Sequence, residues 1–128
     1  LALAGMPSLA VAVECGVYDY RARITGVIDG DTVRADIDLG FNTWRNDERL
    51  RLYGVDAPEL RDPQQRRLAE AARDALAARV LGRELIVCTI NDRRGRYNRY
   101  LAILYLPDGE NINDWLIAAG HAVPYPRD

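Results

Sequence analysis

The chain contains no lysine at all, since every one of its 17 basic residues is arginine. That removes the lysine of a phosphate-binding Walker loop and the amine of a Schiff base. Histidine occurs once, at His121, and serine once, at Ser8 near the amino terminus, so a Ser-His-Asp triad is hard to assemble. One histidine and two distant cysteines, Cys15 and Cys88, do not make an ordinary structural zinc site. There is no lasting excess of either charge: 17 basic residues against 19 acidic ones leave a formal net charge of -2. Any attraction to a polyanion is therefore local rather than bulk. What remains for chemistry is carboxylates, arginines and a hard metal.

With 128 residues, 48% of them hydrophobic and 28% charged, the chain has the size and balance of one globular domain. Leu1 to Val13 carry no charge, and Ala10-Val11-Ala12 has the small-x-small pattern that precedes a signal-peptidase cut. Residues 1–12 thus read as the remnant of an export signal, too short to span a bilayer, and residues 13–128 as the mature domain. This expectation places the protein in a secreted or periplasmic setting, away from membranes.

From Tyr18 onward, short alternating runs are punctuated by turn signals. Strands are expected over Tyr18–Ile28, Thr32–Leu39 and about Glu48–Val55, with a loop over Gly40–Asp47 from which Phe41 and Trp44 extend. Asp62 as N-cap and Pro63 as first helical residue open a helix whose stripe is Leu68, Ala72, Leu76 and Val80, widened by Ala71 and Ala75 and ended by Gly82. Two further strands are expected over Glu84–Ile90 and Tyr97–Leu106, then a short helix capped by Asn113 and ended by Gly120. Five strands, a long helix between the third and fourth, and a short helix after the fifth fit a mainly β chain with helices (α+β), closed as a five-stranded OB-fold barrel.

Three segments concentrate polar chemistry. Asp29-Gly30-Asp31-Thr32 puts two carboxylates at a turn; Arg51-Leu52-Tyr53-Gly54-Val55-Asp56-Ala57-Pro58-Glu59 ends a strand in two more; Arg93-Arg94-Gly95-Arg96-Tyr97-Asn98-Arg99 leads into the strand Tyr100-Leu101-Ala102. Each alone is a common surface turn. Their order and spacing together resemble the staphylococcal nuclease (thermonuclease) family over about Ile24 to Tyr125.

That resemblance implies a calcium-dependent, sequence-nonspecific endonuclease that hydrolyses DNA and RNA and leaves 3′-phosphates, working as a monomer with Ca2+ as its cofactor. Asp31, Asp56 and the backbone carbonyl of Ala57 match the metal ligands, an all-oxygen set suited to calcium. Asp29 matches a carboxylate behind them, and Glu59 the residue that positions or deprotonates the attacking water. Arg51 and Arg99 match the phosphate-binding arginines, whose planar forks suit phosphoryl oxygens. Tyr97 and Tyr125 fall beside the expected nucleotide. The motif Tyr-Gly-Arg reads Tyr97-Asn98-Arg99 here, and an alternative register would use Gly95-Arg96. A Cys15–Cys88 disulfide is expected in an exporting compartment. The competing reading is a catalytically silent OB-fold module that binds nucleic acid or protein; such a module has no need of Asp31, Arg51, Asp56, Glu59 and Arg99 together.

Overall fold

The computed structural model describes residues 18–94 and 99–125, apart from the side chains of residues 91–94. In chain order the elements are β1 (Asp19–Asp29), β2 (Thr32–Asp38), β3 (Trp44–Leu52), β4 (Val55–Asp56), α1 (Arg66–Val80), β5 (Glu84–Arg94), β6 (Tyr100–Tyr105), α2 (Ile112–Ala118) and β7 (Val123–Pro124). Strands β1, β2, β3, β6 and β5 close into one barrel, and β4 pairs with β7 in a separate two-stranded ladder. Four of the barrel seams are antiparallel. The fifth is a short parallel ladder that sets Leu50 beside Tyr100, Arg51 beside Leu101 and Leu52 beside Ala102.

Alternation builds the core. Val33, Ala35 and Ile37 of β2, Leu50 and Leu52 of β3, Leu85 and Val87 of β5, and Ala102 and Leu104 of β6 all point inward and are buried. Helix α1 lays Ala69, Ala72, Leu76 and Val80 against this barrel. The stripe is therefore set by Ala69 rather than Leu68, which is 65% exposed. Gly30 meets α1 most closely: a Cβ there would lie 2.7 Å from Ala57 Cβ and 2.8 Å from Ala72 Cβ. Only glycine allows the β1–β2 turn to sit this close to the helix.

Several expected boundaries move, for identifiable reasons. The expected loop over Gly40–Asp47 contracts to the hairpin turn before Trp44, because Trp44 and Arg45 pair with Asp38 and Ile37. The third strand accordingly starts at Trp44 rather than Glu48 and ends at Leu52, with Val55–Asp56 set apart as β4. Phe41 and Trp44 sit at the end of that hairpin remote from Arg51. Asp62 does not cap α1: its carbonyl accepts from the Gln65 N–H and its carboxylate from the Gln64 N–H, making a separate turn. The helix begins three residues after Pro63, with Gln65 at its cap. Asn113 is not the cap of α2 either. Asn111 holds that place, accepting from the Asp114 N–H at 3.0 Å.

Cys88 on β5 is half of a disulfide. Cys15 lies outside the described residues, as do the expected export-signal remnant and Tyr97. Among the described residues, no helix is long and apolar enough to cross a membrane.

Candidate functional site

The turn between β1 and β2 and the turn between β3 and β4 meet on one side of the barrel. Their meeting is fastened by Asp31. Its Oδ2 accepts the Ala57 N–H at 2.8 Å, its Oδ1 accepts the Thr32 hydroxyl at 3.2 Å, and its own carbonyl accepts the Leu52 N–H at 2.8 Å. Asp29 supports the turn by accepting the Asp31 N–H at 3.1 Å. Asp31 is only 7% exposed. Burial, and then the hydrogen bond and charge of Asp29, push its carboxyl up from 3.8 to about 7, against the pull of the Ala57 N–H and the Arg51 guanidinium.

Arg51 spans the site. Its Nη1 donates to the carbonyls of Leu52 at 2.9 Å and Val55 at 2.8 Å, which locks the guanidinium over the β3–β4 turn. Its Nη2 then stands 3.4 Å from Asp31 and 3.8 Å from Asp56. These contacts place two carboxylates and a guanidinium at one spot, with Asp56 the partly exposed member. Arg99, at the foot of β6, lies within electrostatic range of Arg51, Asp31 and Asp29. Burial and then the Arg51 charge hold its guanidinium below the usual range, opposed by the two aspartates. Tyr125 closes the other side, its ring centroid 5.7 Å from the Arg51 guanidinium carbon and its N–H donating to the Gly54 carbonyl at 2.9 Å.

Glu59 is positioned from behind, where its N–H donates to the Gln65 side-chain oxygen at 2.9 Å. Its carboxylate is exposed and makes no hydrogen bond or ion pair among the described residues, leaving it open to a water or a substrate. Asp29, Asp31, Arg51, Asp56, Ala57, Arg99 and Tyr125 are thus gathered, with Glu59 at the rim. Tyr97 and Arg96 fall outside the described residues.

Two residues that matter to this geometry were not singled out for it in the sequence. Asn113 is buried, donates from Nδ2 to the carbonyls of Tyr53 (2.9 Å) and Ala102 (3.0 Å), and accepts the Leu104 N–H at 3.1 Å. It therefore pins the end of β3, which carries Arg51, to β6, which follows Arg99. Its signal was the spacing Asn111-x-x-Asp114, which already supplies a cap and frees Asn113 for another role. Gly30 is the second, and its signal was the small residues Ala57 and Ala72 that it touches.

No group of three or more His, Cys, Asp or Glu side chains among the described residues is arranged to hold a metal ion unaided. The donor set nevertheless fits a hard cation. Asp31 and Asp56 are oxygen donors brought together by one guanidinium, and among the described residues no histidine or cysteine groups with them to favour a softer metal. The buried Asp31 carboxylate, whose desolvation outweighs the pull of Arg51, is the stronger argument. A divalent cation against it offsets the desolvation that its ionised form otherwise bears.

A family model described as staphylococcal nuclease homologue matches residues 49–128. A protein of Escherichia coli O157:H7 named an uncharacterized endonuclease is 34% identical, over 85% of this chain and 63% of its own length. One of the same name from Escherichia coli matches to the same extent. The succinoglycan biosynthesis protein ExoI of Rhizobium meliloti (strain 1021) is 32% identical, over 96% of this chain and 62% of its own length. The chain thus spans somewhat under two thirds of the relatives that it matches.

Proposed function

Because the chain belongs to the staphylococcal nuclease homologue family, we propose that it is a calcium-dependent endonuclease, cutting DNA and RNA without sequence preference and leaving 3′-phosphate ends. The observation that carries this reading is the Arg51 guanidinium, fixed by two backbone carbonyls and set between Asp31 and Asp56, with Arg99 close by. Such an arrangement is suited to a phosphodiester, because two guanidinium forks oppose the charge that builds on phosphoryl oxygens in the transition state.

Each residue then has a task. Arg51 and Arg99 bind and orient the phosphodiester. Glu59 takes a proton from the attacking water, whose oxygen bonds to phosphorus as the bond to the 5′ oxygen breaks; the leaving oxygen is protonated from solvent. Asp31, Asp56 and the Ala57 carbonyl would hold the cation, and Asp29 keeps the Asp31 turn in place. When bound, calcium supplies positive charge to the same phosphoryl oxygens. Tyr125, stacked near Arg51, and Tyr97 offer aromatic faces to a base. The mature domain acts as a monomer in a secreted or periplasmic setting.

The test is cleavage of supercoiled plasmid and of total RNA, first with calcium and then with a chelator. Cleavage of both that stops on chelation supports the proposal. Undiminished activity after exhaustive chelation refutes the metal, and oligonucleotide binding without any cleavage assigns the chain to the silent binding modules instead.

A further inference from the structure

The buried stripe of α1 points back beyond the start of the helix. Ala69, Ala72, Leu76 and Val80 are buried against the barrel, and the same three-and-four spacing carried back from Ala69 arrives at Gln65, the residue at the helix cap. Gln65 therefore heads the face that α1 lays on the barrel, two turns and about 10 Å before Ala72. Ala72 is where the helix meets the turn that carries Asp31, since a Cβ at Gly30 would lie 2.8 Å from Ala72 Cβ.

The Gln65 side chain has no capping duty. Cap residues are ordinarily Ser, Thr, Asp or Asn, extended in backbone, with a side chain that accepts from the first free N–H groups of the helix. Gln65 instead has φ -104° and ψ -4° and makes no side-chain cap bond. Its side-chain oxygen reaches back six residues to accept the Glu59 N–H at 2.9 Å. Three backbone bonds run the other way. The Glu59 carbonyl accepts the Asp62 N–H at 3.2 Å, the Asp62 carbonyl the Gln65 N–H at 2.9 Å, and the Gln65 carbonyl the Ala69 N–H at 2.8 Å. The backbone thus steps from Glu59 into the helix by two turns, and the Gln65 side chain closes the ring.

We propose that Gln65 is a positioning residue for Glu59: seated at the head of α1, it sets the place of that carboxylate relative to Asp31. The proposal rests on the nuclease reading, in which Glu59 takes a proton from the attacking water. A base must stand within hydrogen-bond reach of the proton it takes. Glu59 is exposed at the rim, so its place is set through its backbone. Helix α1 then serves both parts of the site, Asp31 through Ala72 against Gly30 and Glu59 through Gln65.

The experiment measures steady-state cleavage of a fluorophore-quencher oligonucleotide in calcium, beside urea unfolding of the same preparations. Gln65→Met keeps the length and helix propensity of glutamine and loses the acceptor. It should lower kcat by roughly 10- to 100-fold with KM little changed, because a displaced base acts on the transition state while the arginines still hold the substrate. Gln65→Glu keeps an oxygen acceptor and should retain most of the wild-type kcat. Gln64→Met, one residue away, should leave both constants unaltered. In a Glu59→Gln background, Gln65→Met should cost little more, since both changes remove one contribution. The bond lies at the surface, so urea midpoints should stay near that of wild type. A wild-type kcat in Gln65→Met, a loss that Gln65→Glu shares, or a loss matched by a falling urea midpoint would overturn the proposal. Failure of the nuclease reading looks different: the wild-type chain then cuts no nucleic acid, and the catalytic role of Gln65 goes with it. The Glu59 amide reports the bond by itself. Its proton resonance should move upfield in Gln65→Met and not in Gln64→Met, and an unmoved resonance would overturn the tie whether or not the chain cuts.

Discussion

Replacing Asp31 with asparagine should abolish cleavage and yet stabilise the protein when divalent cations are chelated. The folded-state carboxyl lies at about 7 against 3.8 for the free side chain, chiefly because burial penalises its ionised form. Between these values the folded protein holds a proton that the unfolded chain has released, so stability falls as pH rises. The protonated carboxyl's full advantage is present below about pH 4 and is gone above about pH 7, where the ionised group costs about 4 kcal/mol relative to its free state. Asparagine keeps the shape and an acceptor for the Ala57 N–H but never ionises, so it recovers most of that cost at alkaline pH.

The assay is urea unfolding of both proteins in chelator across this range. The stability difference should be near zero at about pH 4 and grow to several kcal/mol, in favour of the variant, at about pH 8. A variant no more stable than wild type at the alkaline end, or wild-type stability that rises with pH over this interval, would refute the argument. Calcium supplies the comparison. At about a hundredfold excess over its Kd it should raise wild-type stability by roughly 2.7 kcal/mol, and the variant by much less.

Five further outcomes follow from particular residues. Gly30→Ala forces its new Cβ against Ala57 and Ala72, so α1 or the Asp31 turn must move; a loss of about 1–3 kcal/mol in urea unfolding is expected, with cleavage falling further than stability explains. Arg51→Lys gives up the carbonyls of Leu52 and Val55 as well as the fork, and should lower kcat by roughly 100-fold or more in a plasmid assay. Arg99→Lys should do likewise while Arg96→Gln retains cleavage, and the reverse result would place the functional arginine at 96. Asn113→Asp removes the donors to Tyr53 and Ala102 and should cost about 1–3 kcal/mol by the same unfolding measurement. Cys88→Ala should cost up to about 4 kcal/mol if Cys15 is its partner, and two free thiols by non-reducing mass measurement would dismiss that pairing.

The barrel was legible because its strands alternate, as in Val33, Ala35 and Ile37, and because turn residues bound each run. Local polarity misled where tertiary pairing decides. Trp44-Arg45-Asn46-Asp47 has no apolar alternation and reads as loop, but hydrogen bonding to the far end of β2 makes it strand, with Asp47 at φ 58 absorbing the irregularity. Asp62-Pro63 has the composition of a helix start, and is used for a turn that carries Glu59 toward Gln65 before the helix begins. Either use satisfies the same local preferences, so only the packing of Ala69 and Ala72 on the barrel chooses between them.

The site was legible as residue types at spacings, and not as contacts. Nothing in the run Arg51 to Glu59 announces that the guanidinium will turn back onto Leu52 and Val55, the chain's own next turn, before it faces Asp31 and Asp56. Ala57 has its Cβ where any side chain at Gly30 would meet it at 2.7 Å, and its N–H is spent on Asp31. Gly30 packs so closely on Ala57 and Ala72 that a side chain at Gly30 pushes the Asp31 turn off the helix. The small residues and the buried carboxylate are therefore two sides of one constraint. Close packing excludes water from Asp31, that exclusion raises its pKa, and the raised pKa is what a cation at this turn would relieve.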